Sequence, residues 1–488
     1  MKAIEVKNIS IPEYVKQLPV TNDSRPLAGA AWLETPVNLD ALGYKEEEYI
    51  IKGKANIYSW PCDEEKPVVL RDDGEYCTRF LIRMPKDPEK FSGFVAVESF
   101  NGSFEIDHCS GGWGLNHEQI VKSGDAWVGY TKDYICVQSL LKFDPERYEE
   151  VGYPNPRPRE ECGAPGWDPF LEYCNKNNTK FPLILDPAYE RGLTYEAAFQ
   201  LAALLKSKNP SNPLKDYNVK YVVGFGINDY NTYVAALHPY MRLEGDKPVF
   251  DGYLMYMSGH GGALNNEEDM FPLASERCRR TCDVPVIKVQ TAGDLRGFLP
   301  HPLWAALWRC EDSDEPGKQM RWYEIPGLGV AAAFRQDESA FACEADYTKI
   351  GSRSKSKDNH YDYWNQMCLH IMAGAYQNLK LWISDGVLPP KAGKIDLIGE
   401  YPNFNFSLDK YGNHVGGIRH TYLEVPIAVF DDFSNIKFFD KKLRDSLYSS
   451  KEDYVEKVRA DAMRMAKERW ILTEAIDMLV EQAESLEW

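Results

Sequence analysis

The chain is 488 residues long, 44% hydrophobic, and carries a formal net charge of −18. That length holds one large domain with insertions or two domains, and the apolar fraction is ample for a core. The acidic balance would repel a phosphate backbone or an anionic membrane surface, which excludes nucleic acid and membranes as expected partners and leaves a small molecule.

In chain order, Met1 to Val20 mixes Lys and Glu and has no apolar run of signal-peptide length, so a cytoplasmic location is expected. Glu47 to Trp60 has the β-branched and aromatic content of a strand, and Cys77 to Met84 alternates before stopping at Pro85. Gly93 to Phe100 is a third strand, ending in the turn Asn101-Gly102-Ser103. A helical stretch around Asn116 to Lys122 then leads to a fourth, Ala126 to Tyr130. Residues 143–190 carry Pro154-Asn-Pro-Arg-Pro158 and many polar side chains, the character of a lid or binding loop. Leu193 to Ser207 places Ala197, Leu201, Ala202 and Leu205 at helical spacing.

Lys220 to His238 reads as a buried strand running through a sharp turn at Asn228 into a helix. Val249 to Tyr256, Val284 to Gln290 and Arg321 to Ile325 are further strands. His360 to Ser384 is a helix stopped by Gly386 and Pro389-Pro390. Lys451 to Leu486 reads as one long charged amphipathic helix, a packing surface or the contact of a homo-oligomer. Strands alternating with helices predict an α/β fold with a mostly parallel, doubly wound sheet. The expected division is 1–142 and 191–430 as two parts of the core, 143–190 as the lid, and 431–488 as a helical tail. The eleven cysteines are odd in number and scattered. Cys278 and Cys282 lack a second pair at zinc-site spacing, so reduced thiols and no metal are expected. No glycine-rich dinucleotide fingerprint or phosphate-cradling Lys loop is present, and a cofactor-free site follows.

The strand–turn–helix at Asn228 has the shape of a nucleophile elbow, the Gly-x-Ser-x-Gly turn that lifts a hydroxyl above the sheet of an α/β hydrolase. Further matching stretches are Lys52-Gly-Lys-Ala-Asn-Ile-Tyr58, Val97-Glu-Ser-Phe-Asn101, Gly124-Asp-Ala-Trp-Val-Gly129 and Phe143-Asp-Pro-Glu-Arg-Tyr148. They continue in Val223-Gly-Phe-Gly226, Phe250-Asp-Gly-Tyr253, Trp382-Ile-Ser-Asp-Gly386, Tyr411-Gly-Asn413 and Gly416-Gly-Ile-Arg-His420. On these, the chain from Tyr49 to about Phe430 resembles the large bacterial α/β-hydrolase-domain proteins. The resemblance implies an α/β-hydrolase fold with a triad of Ser, acid and His in that chain order. It would put Ser at Asn228, the acid at Ala292 and His at Val330, so all three positions are substituted. No histidine lies between His301 and His360. A carboxamide at Asn228 has no ionisable proton, which closes the ordinary acyl-enzyme route there.

Oxyanion stabilisation depends on backbone N–H groups and would survive these changes. The Asn101-Gly102 turn and the Asp229 amide are the expected donors, for an enolate or alkoxide as well as a tetrahedral intermediate. His260, just past a strand, is the candidate replacement acid or base; the plainer alternative is a loop histidine bonded to a carbonyl. Asp294 is the second proton-moving candidate, or the ion-pair partner of Arg296. Asn228 would hold the substrate by its amide. Asp229 is a nucleophile in a shifted register or a helix cap. Tyr230 either projects a phenol into the pocket or repacks the turn. Ser258 is a displaced nucleophile candidate, Glu98 a buried structural carboxylate, and His108 reaches the pocket only if its loop folds inward. Trp113, Trp127, Tyr130, Tyr134, Trp167, Phe170, Tyr230, Tyr233 and Tyr256 come from segments expected around the cleft, which suits a flat or apolar ligand. Three functions follow in order. The first is a repurposed lyase, isomerase or hydratase working by general acid–base chemistry. The second is a non-catalytic small-ligand binder, and the third a hydrolase with relocated residues, Ser258 or Asp229 with His260.

Overall fold

Wherever β-branched and aromatic residues run together the chain forms strand, and wherever apolar residues recur at three and four it forms helix. The computed structural model describes residues 2–61, 64–102, 105–109, 111–157, 188–227, 230–257, 264–266, 282–296, 309–329, 342–352, 362–400, 403–433 and 435–488. The chain divides into two compact units. The first is Met1–Tyr253, His260–Val284 and Asp337–Asp358; the second is Leu254–Gly259, Pro285–Gln336 and Asn359–Trp488.

The first unit is built on β1 (Tyr14–Gln17), β2 (Tyr44–Ser59), β3 (Val68–Pro85), β4 (Phe94–Ser99), α1 (Trp113–Ser123), β5 (Ala126–Tyr130), α2 (Tyr134–Phe143), α3 (Leu193–Lys206), β6 (Tyr221–Ile227) and α4 (Tyr230–Leu237). Its strands lie in the order β6-β4-β5-β3-β2-β1. β4 pairs parallel with both β5 and β6, because each connection carries a helix across the sheet. β3 pairs antiparallel with β2 across a short link and antiparallel with β5, with β4 and α1 between the two in the chain. The parallel strands are covered on both faces and are apolar on both: Val95, Ala96, Val128, Val222 and Val223 are fully buried. Gly124 ends α1 at φ 73 with its amide on the last carbonyls, and a side chain there would strike the Lys90 carbonyl.

The chain passes between units within β7 (Gly252–Tyr256). The second unit holds β8 (Val286–Thr291), α5 (Ala292–Arg296), β9 (Met320–Ile325), α6 (Asp362–Asp385), α7 (Thr421–Glu424), α8 (Lys451–Lys467) and α9 (Glu474–Ser485). β8 and β9 pair parallel from Val286 opposite Met320 to Thr291 opposite Ile325. The tail corrects an expectation, since it is two helices and not one. Arg469 takes φ 65 after α8, the Trp470 amide donates to the Met465 carbonyl at 2.9 Å, and α9 packs back on α8. No glycine or proline marks that break, so periodicity alone ran through it. Among the described residues no helix is long and apolar enough to cross a membrane.

Candidate functional site

Because β4, β5 and β6 are parallel, their carboxyl ends share one edge, where ligands of open α/β sheets bind. Ser99 lies opposite Tyr130, so the residues that follow both strands emerge side by side. The Phe100 amide donates to the Tyr130 carbonyl at 2.9 Å and the Asn101 amide to the His108 carbonyl at 3.0 Å. The Gly102 amide donates to Asp133 Oδ2 at 3.2 Å, and Lys132 Nζ lies 2.6 Å from the same oxygen. The turn expected to present free donors to a substrate thus has the amides of Asn101 and Gly102 already engaged. A half-buried N–H takes the nearest strong acceptor, and here a carboxylate is within reach.

Tyr230 opens α4 and is buried. Its hydroxyl donates to the Thr194 carbonyl at 2.7 Å, and its ring stacks on Tyr195 at 4.8 Å. The phenols of Tyr130 and Tyr230 are hydrogen-bonded, and burial pushes both ionisations up. The Tyr230 donor is thus engaged by the backbone. Gly226 is required beside it, since a methyl there would coincide with the Asn231 amide.

Glu98 is the buried structural carboxylate. It accepts from the amides of Gly111, Gly112 and Trp113 at 2.8–2.9 Å and from Trp127 Nε1 at 2.8 Å. Burial pushes its carboxyl up, and those four donors pull it back. It meets the first amides of α1, where a helix favours negative charge. Trp113 and Trp127 hold the Arg83 guanidinium at 4.2 and 4.5 Å from their rings, so they are core platforms and not cleft walls. His108 is fully buried.

In the second unit, Ala292 begins α5 and Asp294 sits two residues on. Asp294 Oδ2 accepts from the Thr291 amide at 2.7 Å, and Thr291 Oγ1 accepts from the Asp294 amide at 3.1 Å. This reciprocal arrangement is a capping box, and the polar residues at 291 and 294 are what starts the helix there. Burial pushes the Asp294 carboxyl up to about 7, against the lowering effect of its two Thr291 hydrogen bonds. Arg296 does not pair with it; its ion-pair partner is Asp432. The turn after β9, where the resemblance would put a histidine, receives one from far along the chain. His414 Nδ1 accepts from the Gly327 amide at 3.0 Å, and its Nε2 stands 3.8 Å from Asp432 Oδ1. Burial, with Arg296 and Arg419 nearby, pulls the His414 imidazole down to about 4, so it is neutral at pH 7. With Nδ1 accepting, the proton is on Nε2. Among the described residues no cluster of three or more His, Cys, Asp or Glu could hold a metal.

Asn228, Asp229, Ser258, His260 and Val330, with Ser103, Trp167 and Phe170, lie outside the described residues. The convergence of His260 and Asn228 with other groups is therefore an expectation of the sequence.

Residues 12–481 match the family described as "Alpha/beta hydrolase domain". The chain belongs to that family. No curated protein matches this family member. Solved structures of similar fold include the acetyl xylan esterase from Paenibacillus sp. R4, at 9% identity and TM-score 0.30 over 64% of this chain and 82% of that one. The glucuronoyl esterase from Solibacter usitatus is 9% identical, TM-score 0.29, over 71% and 87%. Esterase Est22 is 12% identical, TM-score 0.29, over 59% and 75%. The fold assignment rests on the family match, and no activity is taken from these structures.

Lys132, Asp133 and His414 are the residues of this α/β-hydrolase chain that sequence reasoning missed. Asp133 carried a signal: an Asp directly before a helix reads as a cap and nothing more. Lys132 and His414 carried none, because each is significant only through a neighbour distant in sequence.

Proposed function

We propose that this protein is a cofactor-independent enzyme that moves protons on a small apolar or aromatic carbonyl compound, as a lyase, isomerase or hydratase, without forming an acyl-serine. The observation that carries this reading is Asp294, a buried carboxyl whose affinity for a proton is raised to about 7 at the carboxyl end of β8. A group that is half protonated at neutrality is matched to general acid–base work, and strongly shifted carboxyls cluster at functional sites. In this proposal Asn228 holds the substrate by its amide and His260 is the second proton carrier. Gly102 is not assigned the oxyanion, since its amide is held by Asp133.

The test is exchange of α-protons for deuterium in acetophenone and phenylacetaldehyde, followed by NMR. Catalysed exchange with an apparent pKa near 7 that collapses in both Asp294→Asn and His260→Ala supports the proposal. Exchange untouched by either substitution refutes it. A serine-directed fluorophosphonate should leave the protein unlabelled; labelling together with ester turnover would favour a relocated hydrolase instead.

The second reading, a non-catalytic binder, is favoured by the engagement of the Gly102 amide with Asp133 and of the Tyr230 hydroxyl with Thr194. Donors stabilise a transition state only while they are not engaged by the protein itself. Under this reading a bound ligand is recovered unchanged after prolonged incubation.

A further inference from the structure

Asp133 stands at the N-cap of α2 by every backbone measure. Its φ and ψ are −94° and 139°, and its carbonyl accepts from the amides of Cys136 and Val137 at 3.0 and 3.1 Å. Asp is among the best residues at that position because its carboxylate takes the next amides of the helix, which is worth about 0.5–2 kcal/mol. Here the side chain makes no capping bond at all. It turns away from its own helix, and Oδ2 receives the Gly102 amide and the Lys132 ammonium instead.

Two donors from separate segments converging on one carboxylate oxygen form an anion site, and its occupant is a side chain with somewhere else to go. If Asp133 rotated back to α2, it would regain the ordinary cap, which offsets about 0.5–2 kcal/mol of the cost of leaving the site. Gly102 lets the carboxylate approach: a methyl at that residue would lie 3.2 Å from Asp133 Oδ2 and 2.8 Å from Ile135 Cγ2. The pair reaches solvent, with Lys132 and Asp133 side chains 11% and 16% accessible. Aromatic rings stand close by. Lys132 Nζ lies 5.1 Å from the Tyr230 ring centroid, and the Tyr134 and Tyr189 rings are 5.6 Å apart.

We propose that the Gly102 amide and Lys132 form a binding site for a small carboxylate with a flat aromatic body, and that Asp133 is its displaceable internal occupant. The exchange is one carboxylate for another, so Lys132 keeps a counter-charge throughout. A neutral amide of the same shape would leave that ammonium unpaired in a largely buried place, which is costly. This deepens the proposed function by naming a substrate class, and rests on reading this sheet edge as the ligand-binding one.

Calorimetric titration of the full chain with benzoate and with benzamide, in the unmodified protein, Asp133→Asn and Lys132→Met, tests it. A competing occupant weakens a ligand by the inverse of the fraction of time the site stands open, so Asp133→Asn should bind benzoate more tightly, on the order of tenfold, with benzamide unchanged. Lys132→Met should abolish benzoate binding. Benzoate affinity equal in Asp133→Asn and the unmodified protein, or an equal gain for benzamide, overturns the proposal. If Asp133→Asn does not fold, the same contrast is read by saturation-transfer NMR on the unmodified protein and Lys132→Met. A benzoate signal indifferent to Lys132 then overturns it. Binding is measured without turnover, so failure here leaves the Asp294 reading standing, and absence of turnover leaves the anion site standing.

Discussion

Asp294→Asn should make the protein more stable at pH 8 and leave its stability near pH 4 unchanged. The carboxyl is raised from 3.8 to about 7 by burial at the start of α5. In the unfolded chain it titrates near its ordinary value. Between about pH 4 and pH 7 the folded state therefore keeps a proton that the unfolded state has lost. More protons bound in the native state means stability falls as pH rises through that window and levels off above it. At about 1.4 kcal/mol per pH unit, the folded protein is destabilised by about 4 kcal/mol at pH 8 relative to pH 4 through this one group. Asparagine keeps an oxygen for the Thr291 amide and cannot ionise, so it removes the slope and keeps most of the cap. Urea unfolding of both proteins at half-unit steps from pH 4 to pH 8.5 gives the difference directly. It should grow by about 4 kcal/mol across the series. A difference that stays flat with pH would refute the reasoning, because it would mean that Asp294 ionises in the fold as it does in water. Under the proposed function the same variant should also lose activity, a gain in stability set against a loss of function.

The other predictions concern buried polar groups within each unit. Glu98→Gln should cost about 2–6 kcal/mol in chemical unfolding, because the amide keeps an oxygen for one pair of donors and sets its own N–H groups against the other, either Gly111 and Gly112 or Trp113 and Trp127; a loss under 1 kcal/mol would contradict the network. Tyr230→Phe should cost about 1–3 kcal/mol through the loss of the Thr194 and Tyr130 hydrogen bonds and leave small-molecule binding intact. His414 is neutral when folded, with its pKa pulled down to about 4, so the unfolded state binds an extra proton from about pH 6.5 down to 4. Stability should fall on acidification through that window, and His414→Gln should reduce the proton uptake on unfolding by about one, measured by the pH dependence of the urea midpoint.

The strands and helices around the site were legible because each depends on a local pattern. β4, β5 and β6 are largely apolar runs with turn signals at their ends, and α3 shows its spacing openly. Glu98 was readable as structural, since a lone carboxylate in an apolar strand needs partners. The break between α8 and α9 was not, because Arg469 adopts its left-handed backbone through packing and cap geometry with no glycine to announce it. Trp113 and Trp127 were misplaced in the cleft for a related reason: an aromatic ring looks the same in sequence whether it lines a pocket or carries Arg83.

What the amino-acid order determined by itself was the alternation of strand and helix, the family, and the side chains at the elbow and in the acid slot. These follow from periodicity, turn chemistry and the covalent identity of each residue. Only the tertiary structure decided which hydrogen-bonding groups remain available. Whether the Gly102 amide meets a ligand or Asp133, whether Arg296 meets Asp294 or Asp432, and whether a histidine reaches the turn at Gly327 are all contacts between distant segments. Such contacts are settled by sheet register and burial, because each polar group takes the partner that the packed chain brings within about 3 Å, and no local pattern encodes that choice.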